Sequence, residues 1–387
     1  MAADWRSCLM DVSVVGGGPG GSWAAILLAR RGHTVTLFDP QAPWEKPCGG
    51  GVTSRALERF DIFSGDLPRK KIEEITLFFG DQNSVKVVPE RPLVIVSRKE
   101  LGESLLNEAK RCGVQVLQER VTGLQRDKGR WCLSTKTRTV ESDFVVGADG
   151  ATSFVRKSLG TPLTPQDLCI TLGYYIPGEG PPTMKIFFVS SLEGYIWSFP
   201  RPNHISYGLI SRSGPGRTAR AKELLSNFIA ADLGSEALQD AEFYSAPVPC
   251  LTPESWKTNV IGGDHWALVG DAAGLTDPIT GEGIYFAFRS AEILAETLEW
   301  PGEYAKAIWR DMGVELARAS RMYGRFYSGQ FLGADLRKRA VQLARRSRTI
   351  RQLMETCIQG RQPYMSLKKK LFYSVPSVAW DLVSGRQ

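Results

Sequence analysis

The sequence has little histidine, no closely paired cysteines and no long apolar run. Its 387 residues include three histidines, and no two of its seven cysteines have the CxxC spacing. Because that spacing is typical of zinc sites, we expect no metal, and the odd number of scattered thiols argues against a disulfide framework. No segment approaches the ~18 consecutive apolar residues of a membrane-spanning helix. The N-terminus also lacks a signal-peptide pattern. We therefore expect a cytoplasmic protein.

Positive charge is concentrated near the C-terminus. The net charge is +7, yet residues 336–380 hold eleven Lys and Arg against one acid, Glu355. Apolar residues recur here at helical spacing, which predicts basic helices packed on the core. The alternative is a surface that meets anionic membrane headgroups or a diphosphate, as in a peripheral membrane protein. No nucleic-acid-binding motif accompanies the charge, so nucleic acid is not an expected partner. The apolar positions are Leu343, Ile350, Leu353 and Ile358.

A glycine-rich turn follows the first apolar run. Residues 11–15, DVSVV, predict a strand, and residues 16–39 read GGGPGGSWAAILLARRGHTVTLFD. The pattern predicts a helix over 19–30 and a second strand over 33–38, ending at Asp39. Glycines here allow backbone N–H groups to approach a pyrophosphate, and the Asp39 carboxylate can accept hydrogen bonds from a ribose. The unit therefore predicts dinucleotide binding. The turn residues assigned to the cofactor are Gly16, Gly18, Pro19, Gly20 and Gly21.

Two later segments favour FAD over NAD. DFVVGADG (143–150) predicts a strand that ends at Asp149, and HWALVGDAAGLTDPITGEGIYF (265–286) predicts a strand that runs into Asp271. An Asp at a strand end can hold the hydroxyls of a long cofactor. The turn after Asp271 opens a helix whose N-terminus can stabilise the negative charge of a reduced flavin. The residues expected near the flavin are Pro278, Gly281, Gly283 and Ile284.

GxGxxG, GADG and GDAAG…DPxxGEG, in this order, resemble the FAD-dependent fold of p-hydroxybenzoate hydroxylase and its relatives over about residues 10–300. The resemblance implies an α/β protein: a Rossmann-like FAD-binding domain, an interleaved α+β substrate domain with an antiparallel sheet, and a helical C-terminal region. It also implies that Arg98 contacts the cofactor from the start of a helix. Val121 would lie on a strand whose backbone meets the adenine.

One hexamer indicates a branch of this fold. KPCGGGVTSRAL (46–57) resembles the P-x-x-C-G-x-G segment of geranylgeranyl reductases, which lies beside the flavin. Glycines from Gly49 to Gly51 would let the backbone pass the flavin ring without Cβ clashes. Cys48 would stand at the reactive end of the cavity, shaping the approach of an alkene or assisting proton delivery. The alternative is a structural cysteine in a turn.

The segment GYIWSFP (194–200) resembles the YxWxFP motif that lines the substrate cavity of geranylgeranyl reductases. Alternation along a strand places Tyr195, Trp197 and Phe199 on one face, ahead of Pro200. Such a face suits a prenyl chain. The alternative is an ordinary strand that faces a hydrophobic core.

The resemblance implies that reduced flavin transfers a hydride to a carbon–carbon double bond of an isoprenoid. The alternative is an FAD-dependent monooxygenase or halogenase that acts on an aromatic or natural-product substrate. No second dinucleotide motif is convincing, so we expect the electrons to come from NAD(P)H that docks transiently or from a redox protein. We expect three regions: FAD-binding segments at 1–70, 98–165 and 255–300, a substrate domain at 71–97 and 166–254, and a basic helical region at 301–387.

Overall fold

The computed structural model describes residues 9–80, 83–212, 217–300, 302–331 and 333–384. The outermost residues of the predicted first and last regions lie outside these ranges. The strands, in chain order, are β1 (Asp11–Val15), β2 (Thr34–Phe38), β3 (Gly51–Val52), β4 (Arg69–Lys71), β5 (Glu74–Phe79), β6 (Asn83–Val87), β7 (Val94–Val96), β8 (Gln115–Leu117), β9 (Gly123–Asp127), β10 (Arg130–Ser134), β11 (Thr139–Ser142), β12 (Phe144–Gly147), β13 (Leu168–Pro177), β14 (Thr183–Phe188), β15 (Gly194–Pro200), β16 (His204–Arg212), β17 (Glu242–Pro249), β18 (Gly262–Gly263), β19 (Trp266–Leu268), β20 (Gln330–Phe331) and β21 (Ala334–Asp335).

The helices, in chain order, are α1 (Pro19–Arg30), α2 (Ser54–Arg59), α3 (Arg98–Arg111), α4 (Phe154–Leu159), α5 (Arg217–Leu233), α6 (Ile284–Thr297), α7 (Glu303–Ile308), α8 (Val314–Ser328), α9 (Leu336–Arg346), α10 (Arg348–Ile358) and α11 (Tyr364–Ser384). A π-helical turn at Trp309–Gly313 joins α7 to α8.

The first large sheet carries the predicted nucleotide-binding unit. Its order is β18-β19-β12-β1-β2-β8, and its pairs are parallel except at β18. Helices α1 and α6 contact each other, and α1 also contacts α3. The apolar residues of β1 are buried, as expected for a central parallel strand covered on both sides. The predicted β1–α1–β2 unit is confirmed, and the second strand begins one residue later than expected, at Thr34.

The second large sheet comes from the two segments assigned to the substrate domain. Its order is β17-β13-β16-β15-β14-β5-β6. The expectation of an antiparallel sheet needs one correction, because β14 pairs with β5 in parallel. A small third sheet, β3-β7-β4, places Gly51 opposite Ile95 and so brings the KPCGGG turn beside the start of α3.

The C-terminal region is mainly helical, and residues 359–363, with a turn at 359–360, separate α10 from α11. Leu353 is buried, and Ile350 and Ile358 pack against a core cluster that includes residues of β15. The interpretation as core-packing is therefore confirmed for Ile350, Leu353 and Ile358, whereas Leu343 is only partly buried. By contrast, none of the 21 residues of α11 is buried. Within the described ranges, no helix is long and apolar enough to cross a membrane.

Candidate functional site

The first glycine-rich turn joins β1 to α1 and leaves one glycine facing open space. A Cβ at Gly21 would lie 1.9 Å from the carbonyl oxygen of Gly16, so only glycine fits there. Around a Cβ built at Gly18, no described atom lies within 4 Å. Pro19 begins α1, where its fixed φ suits the first helical position. The turn is thus tightly packed at both ends and open in its middle.

Asp39 is held by this turn and by the loop after β2. One carboxylate oxygen accepts a hydrogen bond from the Gly17 N–H at 2.7 Å. The other accepts from the N–H groups of Gln41 and Ala42, each at 2.8 Å. Three of the four approximate acceptor positions of the carboxylate are therefore used within the protein. Contact between Asp39 and a ribose stays a prediction.

A cleft lies between the two large sheets and has a volume of about 90 Å³ that water can enter. The β17 residues 246–248 form part of the wall on the side of the second sheet. The predicted cofactor residues in the lining are Gly18, Pro19, Gly20, Cys48, Arg98, Asp271, Gly281, Gly283 and Ile284. The predicted residues outside the lining are Gly16, Gly21, Asp39, Gly49, Gly51, Val121, Asp149, Pro278, Tyr195, Trp197, Phe199 and Pro200.

Cys48 reaches the cleft from a turn that packs against protein on its other side. A Cβ at Gly49 would lie 2.5 Å from the ring of Phe199. Gly50 has a φ of +82°, and its Cβ would lie 2.3 Å from the carbonyl oxygen of Val96. The expectation that Gly49 to Gly51 also make room for a flavin ring stays a prediction. The contacts that require glycine at 49 and 50 are contacts with protein.

A buried ion pair holds this turn. The Arg201 side chain is fully buried, pairs with the carboxylate of Glu45 and donates to the carbonyl oxygen of Cys48 at 2.5 Å. Glu45 also accepts from the Ser97 hydroxyl at 2.5 Å and from the Arg98 N–H at 2.8 Å. One carboxylate thus joins the end of β15 to the start of α3. Sequence reasoning missed both members of this pair.

The Cys48 thiol lies in a positive environment. Burial by itself raises the pKa of this thiol. The charges of Arg98 and Arg201 and the Gly50 N–H, 3.3 Å from the sulfur, together bring its pKa below the usual range. This combination stabilises the thiolate and is typical of a chemically active cysteine.

Asp271 lies in the cleft and pairs with Lys46, a member of the same hexamer as Cys48. Lys46 Nζ is 2.9 Å from the Asp271 carboxylate, which also accepts from the Thr276 hydroxyl at 3.2 Å. Burial raises the pKa of Asp271, but the charges of Lys46 and Arg98 outweigh it and keep the pKa low. Asp271 is therefore ionised at neutral pH. Lys46 is a lining residue that sequence reasoning did not assign.

Three tyrosine hydroxyls hold the turn that precedes α6. Pro278 lies in this turn, over residues 278–280. The tyrosines come from β15, α8 and α11, so three separate elements position the N-terminus of α6. The hydroxyls and their acceptors are Tyr195 with the Thr280 carbonyl (2.6 Å), Tyr327 with the Ile279 carbonyl (2.5 Å) and Tyr364 with the Asp277 carboxylate (2.8 Å).

The aromatic residues of β15 form one continuous face. The ring centroids of Tyr195 and Trp197 are 6.0 Å apart, and those of Trp197 and Phe199 are 6.1 Å apart. Trp197 and Phe199 are buried in the core under the second sheet. Pro200 ends the strand and is also buried. The face adjoins the cleft through Gly49, and its contact with a substrate stays a prediction.

Two predicted cofactor residues have other roles in the structure. Both carboxylate oxygens of Asp149 accept hydrogen bonds at the start of α4, from the Ser153 hydroxyl and from the N–H groups of Phe154 and Val155. Asp149 is thus a helix-capping residue here. The prediction that Val121 lies on a strand is wrong, because the residue is buried in the loop between β8 and β9. Contacts of either residue with FAD stay predictions.

The residues in the cleft fit an anionic dinucleotide. The Nε of Arg98 is buried and has no hydrogen-bond partner among the described residues. The N-terminus of α6, a helix of 14 residues, opens at Gly283 without a side-chain cap. Unsatisfied N–H groups and the helix dipole favour a negative group there. Together with the open space at Gly18, these features would hold the phosphates and the ring system of FAD.

Comparison with known proteins agrees with this site. The FAD binding domain family matches residues 9–175. The geranylgeranyl diphosphate reductase of Synechocystis sp. is 25% identical over 357 residues, which cover 86% of this chain and 85% of that protein. The digeranylgeranylglycerophospholipid reductase of Methanothrix thermoacetophila is 29% identical over 310 residues, which cover 74% and 77%. This chain is therefore similar to geranylgeranyl reductases over most of its length, and its first part matches an FAD-binding domain.

Solved structures show how widely this reductase fold is shared. A geranylgeranyl bacteriochlorophyll reductase-like protein from Thermoplasma acidophilum is 21% identical, with a TM-score of 0.76 over 94% of this chain and 99% of that chain. A flavin-dependent brominase is 17% identical, with a TM-score of 0.68 over 91% and 94%. The fold is therefore common to reductases and halogenases, and the chemistry has to be argued from the site.

Proposed function

We propose that this protein saturates carbon–carbon double bonds of an isoprenoid lipid. The observation that carries the proposal is the position of the KPCGGG turn. Cys48 lines the cleft, while the next residue, Gly49, abuts the aromatic face of β15. A reactive group and an apolar surface are thus separated by one peptide unit. The relatives named as reductases of geranylgeranyl diphosphate and of digeranylgeranylglycerophospholipid support the same class of substrate.

The aromatic face is proposed to hold the prenyl chain. Tyr195, Trp197 and Phe199 offer a wall of rings without a charged group, which suits a substrate that consists of methyl-branched hydrocarbon. The Tyr195 hydroxyl is already occupied by the Thr280 carbonyl, and the Trp197 N–H donates to Ser206 at 3.3 Å. Because the polar atoms of these two rings are satisfied, the rings themselves can face an apolar ligand.

Cys48 is proposed to supply the proton. When bound in its reduced form, FAD would supply the hydride that one alkene carbon receives. The second carbon then takes a proton from the Cys48 thiol, and the C=C bond becomes a C–C single bond with two new C–H bonds. Arg98 and Arg201 stabilise the thiolate that remains, which is why a lowered thiol pKa suits this role. Solvent returns the proton afterwards.

Electrons are proposed to enter from NAD(P)H or from a redox protein. The two sources are separated by measuring turnover with NADH, NADPH and dithionite. A protein that works with dithionite but with neither nicotinamide cofactor needs a protein donor.

Product analysis tests the function. The purified flavoprotein is incubated anaerobically with a chemical reductant and geranylgeranyl diphosphate, and the product is examined by mass spectrometry. We expect products heavier by whole multiples of H₂. Cys48→Ala should keep its FAD and lose about 10²-fold or more in turnover. The matched control is Cys132→Ala, which removes a thiol on β10, outside the cleft. An unchanged prenyl chain with every reductant would refute the proposal.

A further inference from the structure

The apolar surface of α11 points away from the protein. The residues of α11 that are partly covered recur at helical spacing and mark the side that faces the rest of the molecule. Phe372, Trp380 and Val383 project from the opposite side, with 74%, 63% and 84% of their surfaces exposed. Met365 lies on that side as well and is 56% exposed. The partly covered residues are Tyr364, Leu367, Ser374, Val378 and Asp381.

Three consecutive lysines accompany this apolar stripe. Lys368, Lys369 and Lys370 are all exposed, and none of them pairs with a carboxylate among the described residues. The only acid of α11, Asp381, is engaged at the start of α10, where it accepts from the Ser347 hydroxyl at 2.7 Å. Lys369 lies three residues before Phe372 and so shares the outward side, Lys368 borders that side, and Lys370 lies nearer the covered residues Leu367 and Ser374. The outward side of α11 is therefore apolar and carries positive charge.

We propose that α11 docks this protein on an anionic lipid surface. The helix would lie in the interfacial plane, with Phe372, Trp380 and Val383 at the boundary of the acyl chains. Lys368 and Lys369 would meet the negative headgroups, and Lys370 would add positive charge at the flank of the helix. Charge complementarity favours lipid over a second copy of this chain, because two copies would bring lysine clusters of the same sign toward one another. The membrane contact considered for the basic segment is thereby assigned to α11 rather than to α9 and α10, whose apolar residues pack on the core.

The docking helix is connected to the candidate site. Tyr364, the first residue of α11, donates to Asp277 at 2.8 Å, and Tyr195 from the aromatic face holds Thr280 in the turn after Asp277. The lipid-facing helix and the proposed prenyl wall thus contact the same turn beside the cleft. The inference rests on the proposed function, since an enzyme that acts on a prenyl lipid has to reach a substrate held in a membrane.

Vesicle co-sedimentation of the full-length holoenzyme tests the proposal. The vesicles contain phosphatidylcholine alone or phosphatidylcholine with added phosphatidylglycerol. The test variant is Trp380→Ser/Val383→Ser, and the matched control is Trp300→Ser/Val88→Ser, whose side chains are 61% and 73% exposed elsewhere on the surface. We expect binding to the anionic vesicles, at least tenfold weaker for the test variant and unchanged for the control. Lys368→Gln/Lys369→Gln/Lys370→Gln should remove the dependence on phosphatidylglycerol and on salt.

Equal binding by both double variants, or no binding by the unmodified protein, would overturn the proposal. A dimer in lipid-free buffer that the Trp380→Ser/Val383→Ser variant converts to a monomer would also overturn it, in favour of self-association. Reduction of detergent-dispersed geranylgeranyl diphosphate is measured in parallel. If the protein reduces the dispersed substrate but does not bind vesicles, only the docking proposal is refuted. If it binds vesicles but does not reduce the substrate, only the proposed function is refuted.

Discussion

The protein contains two glycine-rich turns that use glycine for different reasons. In the GxGxxG turn, Gly18 faces open space within the cleft. In the KPCGGG turn, Gly49 and Gly50 are packed against an aromatic ring and a backbone carbonyl. The first turn therefore leaves room for a ligand, and the second brings a reactive side chain close to a protein wall. A run of glycines by itself does not tell these uses apart.

The difference is also one of charge. At the GxGxxG turn, the nearby carboxylate of Asp39 is held by backbone N–H groups. At the KPCGGG turn, the buried guanidinium of Arg201 donates directly to the carbonyl of Cys48. The first turn depends on backbone geometry, and the second depends on a long-range ion pair. Substitutions should affect the two turns in correspondingly different ways.

The largest effect is expected from Gly21→Ala. The new Cβ would lie 1.9 Å from a backbone oxygen that cannot move aside, so the first turn must deform. We expect a loss of about 3 kcal/mol or more in the free energy of unfolding, together with loss of FAD. The control, Gly18→Ala, should change the stability of the FAD-free protein by no more than about 0.5 kcal/mol while weakening FAD binding. Urea unfolding measures the stability of each variant, and flavin titration measures its affinity for FAD. Equal stabilities for the two variants would contradict the tight packing inferred at Gly21.

Arg201→Met tests the ion pair of the second turn. Removing one partner leaves the partly buried Glu45 without its counter-charge, which should lower the free energy of unfolding by about 3 kcal/mol. Arg130→Met is the control, because Arg130 also pairs with carboxylates but is 39% exposed, so its loss should change the stability far less. Chemical denaturation compares the two. Similar losses would mean that burial of the pair has no special importance.

Gly49→Ala should have an intermediate effect. Its Cβ would meet the edge of a side-chain ring, Phe199, which can shift at a cost of about 1–3 kcal/mol. FAD should be retained, while near-UV circular dichroism and turnover change because the aromatic face is displaced. If FAD is lost instead, the contact of this turn with the cofactor is more important than its contact with the aromatic face of β15.

Alkylation of Cys48 tests the electrostatics of the second turn most directly. We expect the smallest effect on stability at this residue. Only the thiolate is alkylated, and its population grows as the pH rises through the thiol pKa. Because that pKa is lowered, the iodoacetamide reaction at Cys48 should reach its midpoint below the ordinary thiol value of about 8.5. In Arg98→Met the midpoint should move upward. Peptide mass spectrometry follows this residue separately, and a midpoint at or above the ordinary value in the unmodified protein would disprove the positive environment.

Local patterns predicted the parts of the molecule that local interactions determine. The predicted helix over 19–30 matches α1, and Cys48, Arg98 and Asp271 meet in one cleft as expected from their separate motifs. The Glu45–Arg201 pair was not predictable, because its members are 156 residues apart and meet only in the folded protein. Asp149 shows a different limit. An Asp at the end of a strand can cap the next helix or bind a ligand, and the local sequence is compatible with both.

The most direct measurement is reoxidation of the reduced flavin in a single turnover without oxygen. The holoenzyme is reduced with one equivalent of dithionite and mixed anaerobically with geranylgeranyl diphosphate, and the visible absorbance of oxidised flavin is followed. We expect this absorbance to return with the prenyl substrate, slowly in Cys48→Ala, and the prenyl chain to gain H₂ in proportion. Reoxidation only after oxygen is admitted, with the prenyl chain unchanged, would contradict the account and favour monooxygenase or halogenase chemistry.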